Sequence, residues 1–172
     1  MQKCYQCGGD VQSTLIEKYH YTECGLNDIY LSGIRKYVCQ SCGEEFIELP
    51  RLQQLHRTLG QKLCLKKDPL TGREVAFLRK EMRKSGKEFA LMLRTSAEHL
   101  SRIEHDQRRM SGALDTLVRA LYTIYVCEGL VVSEGALDAV AGKREDEPRP
   151  ESGRIELTPA DWLTENTVCC TL

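Results

Sequence analysis

Two Cys-x-x-Cys pairs, Cys4/Cys7 and Cys39/Cys42, constrain this chain more than any other feature, and each pair runs directly into a glycine. Two residues between cysteines let one tight turn aim both thiolates at a single ion. Gly8 and Gly43 supply the positive φ that such a turn needs. Two turns of this kind complete a tetrahedral set of four sulfurs with no open position. The ion they imply is one Zn2+ per chain, in a structural rather than a catalytic role. A disulfide framework is the alternative for the same four residues. The 31 residues between Cys7 and Cys39 exceed the usual ribbon spacing, which predicts a small sheet in the gap.

The compartment follows from the same residue type. Nine cysteines in 172 residues suggest a secreted disulfide framework only with a signal peptide and an even, paired set. The N-terminal Met-Gln-Lys-Cys-Tyr has no apolar core of a leader, and no apolar run approaches membrane-spanning length. A reducing cytoplasm and no membrane association are the expectation. Cys24 has no partner at knuckle spacing and reads as a spare thiol. The final Cys169-Cys170-Thr171-Leu172 fits a prenylation box only formally, because its middle positions are poorly met.

Charge is segregated along the chain. Residues 1–50 carry 4 basic against 7 acidic side chains, residues 51–110 carry 15 against 7, and residues 111–172 carry 5 against 11. The central excess of +8 in a nearly neutral protein is the footprint of a polyanion-binding face, or else of a solvated helical surface.

Patterning divides the chain into four parts. Residues 1–50 form the zinc-binding domain, with short β-branched and aromatic runs at Val11–Glu17, Asp28–Leu31, Gly33–Val38 and Glu45–Leu49. So small a segment buries little apolar surface, and metal binding is expected to supply most of its folding free energy. Residues 51–69 form a helical linker with Leu52, Leu55, Leu59 and Leu63 on one face. That face packs on a domain or a second copy, or marks a plain amphipathic connector, and Gly60 weakens its rigidity.

Residues 70–126 read as four short helices. Thr71 caps the first with Glu74 as capping-box partner, Ser85 the second, Ser96 the third and Ser111 the fourth. Val75, Leu78, Met82, Phe89, Ala90, Leu93, Leu100 and Ile103 face inward. Leu114, Leu117, Val118, Leu121, Tyr122 and Tyr125 share one face of the fourth helix. Connections of three to four residues suit a helix-turn-helix bundle. Residues 127–172 form an acidic tail, expected to be disordered over Lys143–Gly153. Within it, Thr158-Pro159-Ala160-Asp161-Trp162-Leu163 reads as a single helical turn that docks on the protein.

Cys4-Tyr5-Gln6-Cys7-Gly8 and Val38-Cys39-Gln40-Ser41-Cys42-Gly43 are followed by Leu70-Thr71-Gly72-Arg73-Glu74 and Leu100-Ser101-Arg102-Ile103-Glu104. In that order, over roughly residues 1–126, the chain resembles the MqsA/YgiT-type zinc-finger proteins with an Xre-family helix-turn-helix. The resemblance implies an α+β fold: a small zinc-bound β domain joined to an all-α, lambda-repressor-like bundle. It also implies a homodimeric DNA-binding repressor, often an antitoxin that regulates an operon shared with a toxin. The sequence departs from the family pattern at Ala97-Glu98-His99, where polar amides or Arg usually open the recognition helix. It departs again at His105-Asp106, where a glycine commonly follows, and the acidic tail has no counterpart.

In a helix-turn-helix the N-terminal residues of the second helix of the motif reach base edges, while flanking groups hold phosphates. With Leu100 and Ile103 inward, Ala97, Glu98, His99, Ser101 and Arg102 turn outward. The Arg102 fork suits guanine O6 and N7, and it alternatively clamps a phosphate or pairs with Glu98. Glu98 can accept from cytosine N4 or remain paired with Arg102. Lys87, Arg108 and Arg109 are the expected phosphate contacts.

The expected function is that of a zinc-containing, sequence-specific, autoregulatory repressor of antitoxin type, binding a palindromic operator in double-stranded DNA as a dimer. The alternative is an antitoxin that acts mainly by gripping its toxin protein through the zinc domain. No constellation for catalysis is legible, and four sulfur ligands leave zinc no place for a water, so no enzymatic activity is expected. A thiol sensor built on Cys24, Cys64 or Cys127 has nothing that gathers those residues together.

Overall fold

The computed structural model describes residues 3–126 and 154–163. It is a mixed α+β fold with two small sheets and six helices among the described residues. Strands β1 (Val11–Ile16), β4 (Ile34–Cys39) and β5 (Glu45–Glu48) form an antiparallel sheet in the order β1-β4-β5. Its register runs from Val11 opposite Cys39 to Ile16 opposite Ile34, and from Val38 opposite Glu45 to Arg35 opposite Glu48. The second cysteine pair is therefore the turn of the β4–β5 hairpin, and the first lies just before β1. All four strands expected from patterning are present, within a residue at each end.

Of the second sheet, only the strand at Asp28–Leu31 was expected from patterning. Strand β2 (Tyr19–His20) pairs antiparallel with β3 (Ile29–Leu31), and β6 (Ile155–Leu157) adds in parallel to the far side of β3. It is followed by α6 (Ala160–Leu163). The helical turn expected at residues 158–163 is thus present, and it docks on α1 (Leu52–Leu65). Lys143–Gly153, Cys127, Cys169, Cys170 and the formal prenylation box lie outside the described residues.

The four central helices are α2 (Gly72–Glu81), α3 (Gly86–Met92), α4 (Ala97–Glu104) and α5 (Gly112–Val126). Their starts follow local chemistry. Thr71 Oγ1 accepts from the Glu74 N–H while the Glu74 carboxylate accepts from the Thr71 N–H, and Ser85 and Glu88 repeat the arrangement. Ser96 caps α4 through the His99 N–H. The turns after α2, α3 and α4 are each made by a left-handed residue, Arg83, Arg94 and Asp106. Asp106 stands where a glycine was expected, and its carboxylate accepts from the Gly72 N–H at 2.9 Å. It thereby satisfies a donor that the start of α2 leaves open. Gly72 allows this approach, since a Cβ there would stand 2.2 Å from the Ile103 carbonyl oxygen.

One hydrophobic core spans both sides of residue 50. Tyr21, Ile29, Leu31 and Ile34 share it with Leu55, Leu59, Leu63, Val75, Leu78, Leu100, Val118, Tyr122, Leu157 and Trp162. On the linker helix Leu55, Leu59 and Leu63 are buried, but Leu52 is exposed. Gly60 does not loosen this helix. It brings α1 against α5, because a Cβ there would overlap the Tyr122 hydroxyl at 2.1 Å and its ring at 2.2–2.5 Å.

The apolar face expected on α5 is only partly buried. Val118 and Tyr122 are buried, whereas Leu117 and Tyr125 are exposed and Leu114 and Leu121 only half-buried. The face that packs on α1 and α2 also carries Asp115 and Arg119, both fully buried. No helix among the described residues is long and apolar enough to cross a membrane.

Candidate functional site

The two knuckles bring Cys4, Cys7, Cys39 and Cys42 together, with all four Sγ atoms within 4.8 Å of one another. Each knuckle is a tight turn: the Gly8 N–H donates to the Cys4 carbonyl at 2.8 Å, and the Gly43 N–H to the Cys39 carbonyl at 3.0 Å. Gly8 and Gly43 adopt φ of 72° and 73°, as the spacing predicts. The closest sulfur pairs, Cys4–Cys42 and Cys7–Cys39, are 3.7 and 3.5 Å apart, and each joins one knuckle to the other. These are free thiols and not disulfides. Four sulfurs bound tetrahedrally at about 2.3 Å from an ion stand about 3.8 Å apart, so the cluster has the dimensions of a site able to hold a metal ion.

The surroundings favour the thiolate at Cys39 and oppose it at Cys42. The backbone N–H groups of Cys42 and Ser41 draw the Cys39 thiol down to about 6. The Glu44 N–H pulls Cys42 the same way, but the neighbouring thiols of Cys7 and Cys39 outweigh it and push Cys42 up to about 12. Four sulfurs this close cannot all ionise without a cation between them. A metal ion relieves that repulsion and displaces the remaining protons.

Two features of the cluster carried no pattern that the sequence reading used. Gly9 is a close-approach glycine: a Cβ there would stand 2.5 Å from Ser41 Oγ, 2.9 Å from Ser41 Cβ and 3.3 Å from Cys39 Sγ. The Tyr5 hydroxyl donates to the Glu44 carboxylate at 2.7 Å, tying one knuckle to the other, and the Tyr5 ring meets Phe46 edge-on. The doubled glycine after Cys7 was the available signal for Gly9. Cys24 lies outside the cluster, its thiol donating to the Tyr21 carbonyl, and burial raises its pKa.

The residues singled out on the helices lie on α3, α4 and the segment after α4. Ala97, Glu98, Ser101 and Arg102 are exposed on α4, His99 is half-buried, and Leu100 and Ile103 are buried beneath them. Arg102 donates to the Glu98 carboxylate at 2.5 Å, the i, i+4 pair that was one of the alternatives for both residues. Lys87 is exposed on the first turn of α3, which packs against α4, and Arg108 and Arg109 are exposed after α4. A bidentate ion pair fixes α4 on α2: Arg79 donates to Glu104 at 2.7 and 2.9 Å and to the Lys84 carbonyl at 2.9 Å. Comparison with protein families, with curated proteins and with solved structures finds no match for this chain.

Proposed function

We propose that the protein is a zinc-containing DNA-binding transcriptional regulator that reads its site through α4 and acts as a homodimer. The observation that carries this reading is the presentation of α4. A short capped helix, with its apolar side buried on α2 and α3, turns Ala97, Glu98, Ser101 and Arg102 to solvent. Exposed cations flank it at Lys87, Arg94, Arg108 and Arg109. Such a face suits a major groove, with Arg102 on a guanine edge and the flanking cations on phosphates. Leaving Glu98 for a base is cheap for Arg102, because exposed pairs of this kind contribute little. Glu98 then faces the groove and disfavours bases that offer no donor.

Zinc is the ion of choice for the thiolate cluster, since four cysteines at tetrahedral spacing match its preferred structural coordination. The ion would hold the two knuckles together and perform no chemistry on DNA. Dimerisation through α5 is supported by Leu117, Ile124 and Tyr125, which stand exposed beside half-buried Leu114 and Leu121 along that helix. Two copies of α4 in a symmetric dimer address two half-sites of a palindrome. An autoregulatory repressor of antitoxin type is the role that fits this arrangement with the sequence resemblance.

The test is a fluorescence-anisotropy titration of zinc-loaded protein against the DNA upstream of its own gene and a scrambled duplex. Binding at least about a hundredfold tighter to the upstream DNA is expected for a specific regulator. Equal binding to both, abolished by moderate salt, would mean that the cationic face is generic.

A further inference from the structure

The segment 154–163 returns to the body of the protein after 27 residues and sits there as a peptide sits on a receptor. It lies parallel to β3, with Ile155 beside Ile29 and Leu157 beside Leu31. The Ile155 N–H donates to the Asp28 carbonyl at 2.8 Å, and the Ser32 N–H donates to the Leu157 carbonyl at 2.9 Å. Leu157 and Trp162 are the anchors, 1% and 0% exposed. The Trp162 indole donates to the Pro50 carbonyl and Arg51 donates to the Leu163 carbonyl, each at 3.0 Å.

The groove that holds it draws its main contacts from β3, Ser32, Pro50, Arg51 and α1, all outside the segment. The segment also carries part of its own bound shape. Both the Thr158 N–H and its hydroxyl donate to the Asp161 carboxylate, at 2.7 and 2.8 Å, which sets the turn between β6 and α6. Addition of a strand to a sheet edge gives affinity through the backbone and specificity through pockets for alternate side chains. The groove meets both conditions: one edge strand, one leucine pocket and one tryptophan socket.

We propose that the β3–α1 groove is a peptide-recognition site and that residues 154–163 occupy it as a tethered ligand. The partner it fits is a peptide of this same kind, presenting two apolar residues at alternate positions, an acid-capped turn and a tryptophan five residues after the second of them. A tethered segment acts at an effective concentration on the order of millimolar, so a free peptide binds the intact chain only by displacing it. Access to the groove is then set by how firmly Trp162 is seated.

The full-length Trp162→Ala chain tests this, with a fluorescein-labelled peptide of residues 151–166 as probe. The variant should bind the peptide saturably at one site, and the wild-type chain at least about thirtyfold more weakly because its own segment competes. A probe carrying the same alanine should lose at least about thirtyfold in affinity. A folded Trp162→Ala chain that ignores the peptide, or equal binding by wild type and variant, would overturn the proposal. Should the variant fail to fold, the wild-type chain can be cut at a protease site inserted between residues 143 and 150. Exchange of the native segment for labelled peptide in the folded, cut protein supports a ligand. A segment released only when the whole protein unfolds shows it to be an integral part of the fold.

Discussion

Arg119 is the side chain whose removal should damage this protein most. It is fully buried on α5, and its Nε donates to Asp115 Oδ2 at 2.9 Å. One terminal nitrogen donates to the carbonyls of Leu63, Cys64 and Lys66 at 2.8–2.9 Å, and the other to that of Asp68 at 2.7 Å. Carbonyls at the end of a helix have no partner within it, so one guanidinium finishes α1 and neutralises a buried carboxylate together. Asp115 in turn accepts from the Leu70 N–H at 2.7 Å, positioning the start of α2. Arg119→Met keeps much of the volume but leaves Asp115 without its guanidinium and four carbonyls without their donor. Breaking a buried pair from one side costs about 3–5 kcal/mol. For a chain of this size that lowers the melting temperature by roughly 6–20 °C. Urea and thermal unfolding followed by circular dichroism measure it. The double variant Asp115→Asn, Arg119→Met should recover part of the loss, since the uncompensated charge is gone. A single-variant loss below about 1 kcal/mol, the scale of an exposed pair, would refute this account of the α1–α5 junction.

Three further outcomes follow from particular contacts. Gly9→Ala should weaken metal retention against a chelator, because its Cβ meets Ser41 beneath Cys39, and Ser41→Gly in the same chain should restore it. The Tyr122 hydroxyl is buried with no hydrogen-bond partner among the described residues, so Tyr122→Phe should be neutral or stabilising by about 1 kcal/mol in urea unfolding. The Ser85 hydroxyl and N–H hold the Glu88 carboxyl below the usual carboxylate range. Its stabilisation is present above the unfolded value and is lost as pH falls through the folded one. Carboxyl NMR titration should therefore place Glu88 low, and Ser85→Ala should move it back up.

What was legible in the sequence was local chemistry. The knuckle glycines, four serine or threonine caps and the buried positions of α2 to α4 all follow from rules that act within a few residues. What escaped was chemistry acting across the chain. Arg119 carries no local signal of its role, which exists only once the last turn of α1 lies beside it. Gly60 reads as a helix weakener until Tyr122 packs on it. β6 is three residues long and owes its existence to the free edge of β3, which no local pattern announces. The stripe on α5 was visible, but periodicity cannot say which apolar positions meet the body and which face solvent. Local patterning likewise gives no sign that Tyr21, Ile29 and Leu31 share a core with the helices across residue 50.

The central proposal is that α4 reads DNA sequence, and Arg102 tests it most directly. Anisotropy titrations of wild type and Arg102→Ala, on the tightest duplex selected from a random pool and on its scrambled form, separate base reading from charge. Loss of about 1–3 kcal/mol on the selected duplex alone, with the salt slope little changed, is the predicted result. An equal loss on both duplexes, or none on either, would contradict the account.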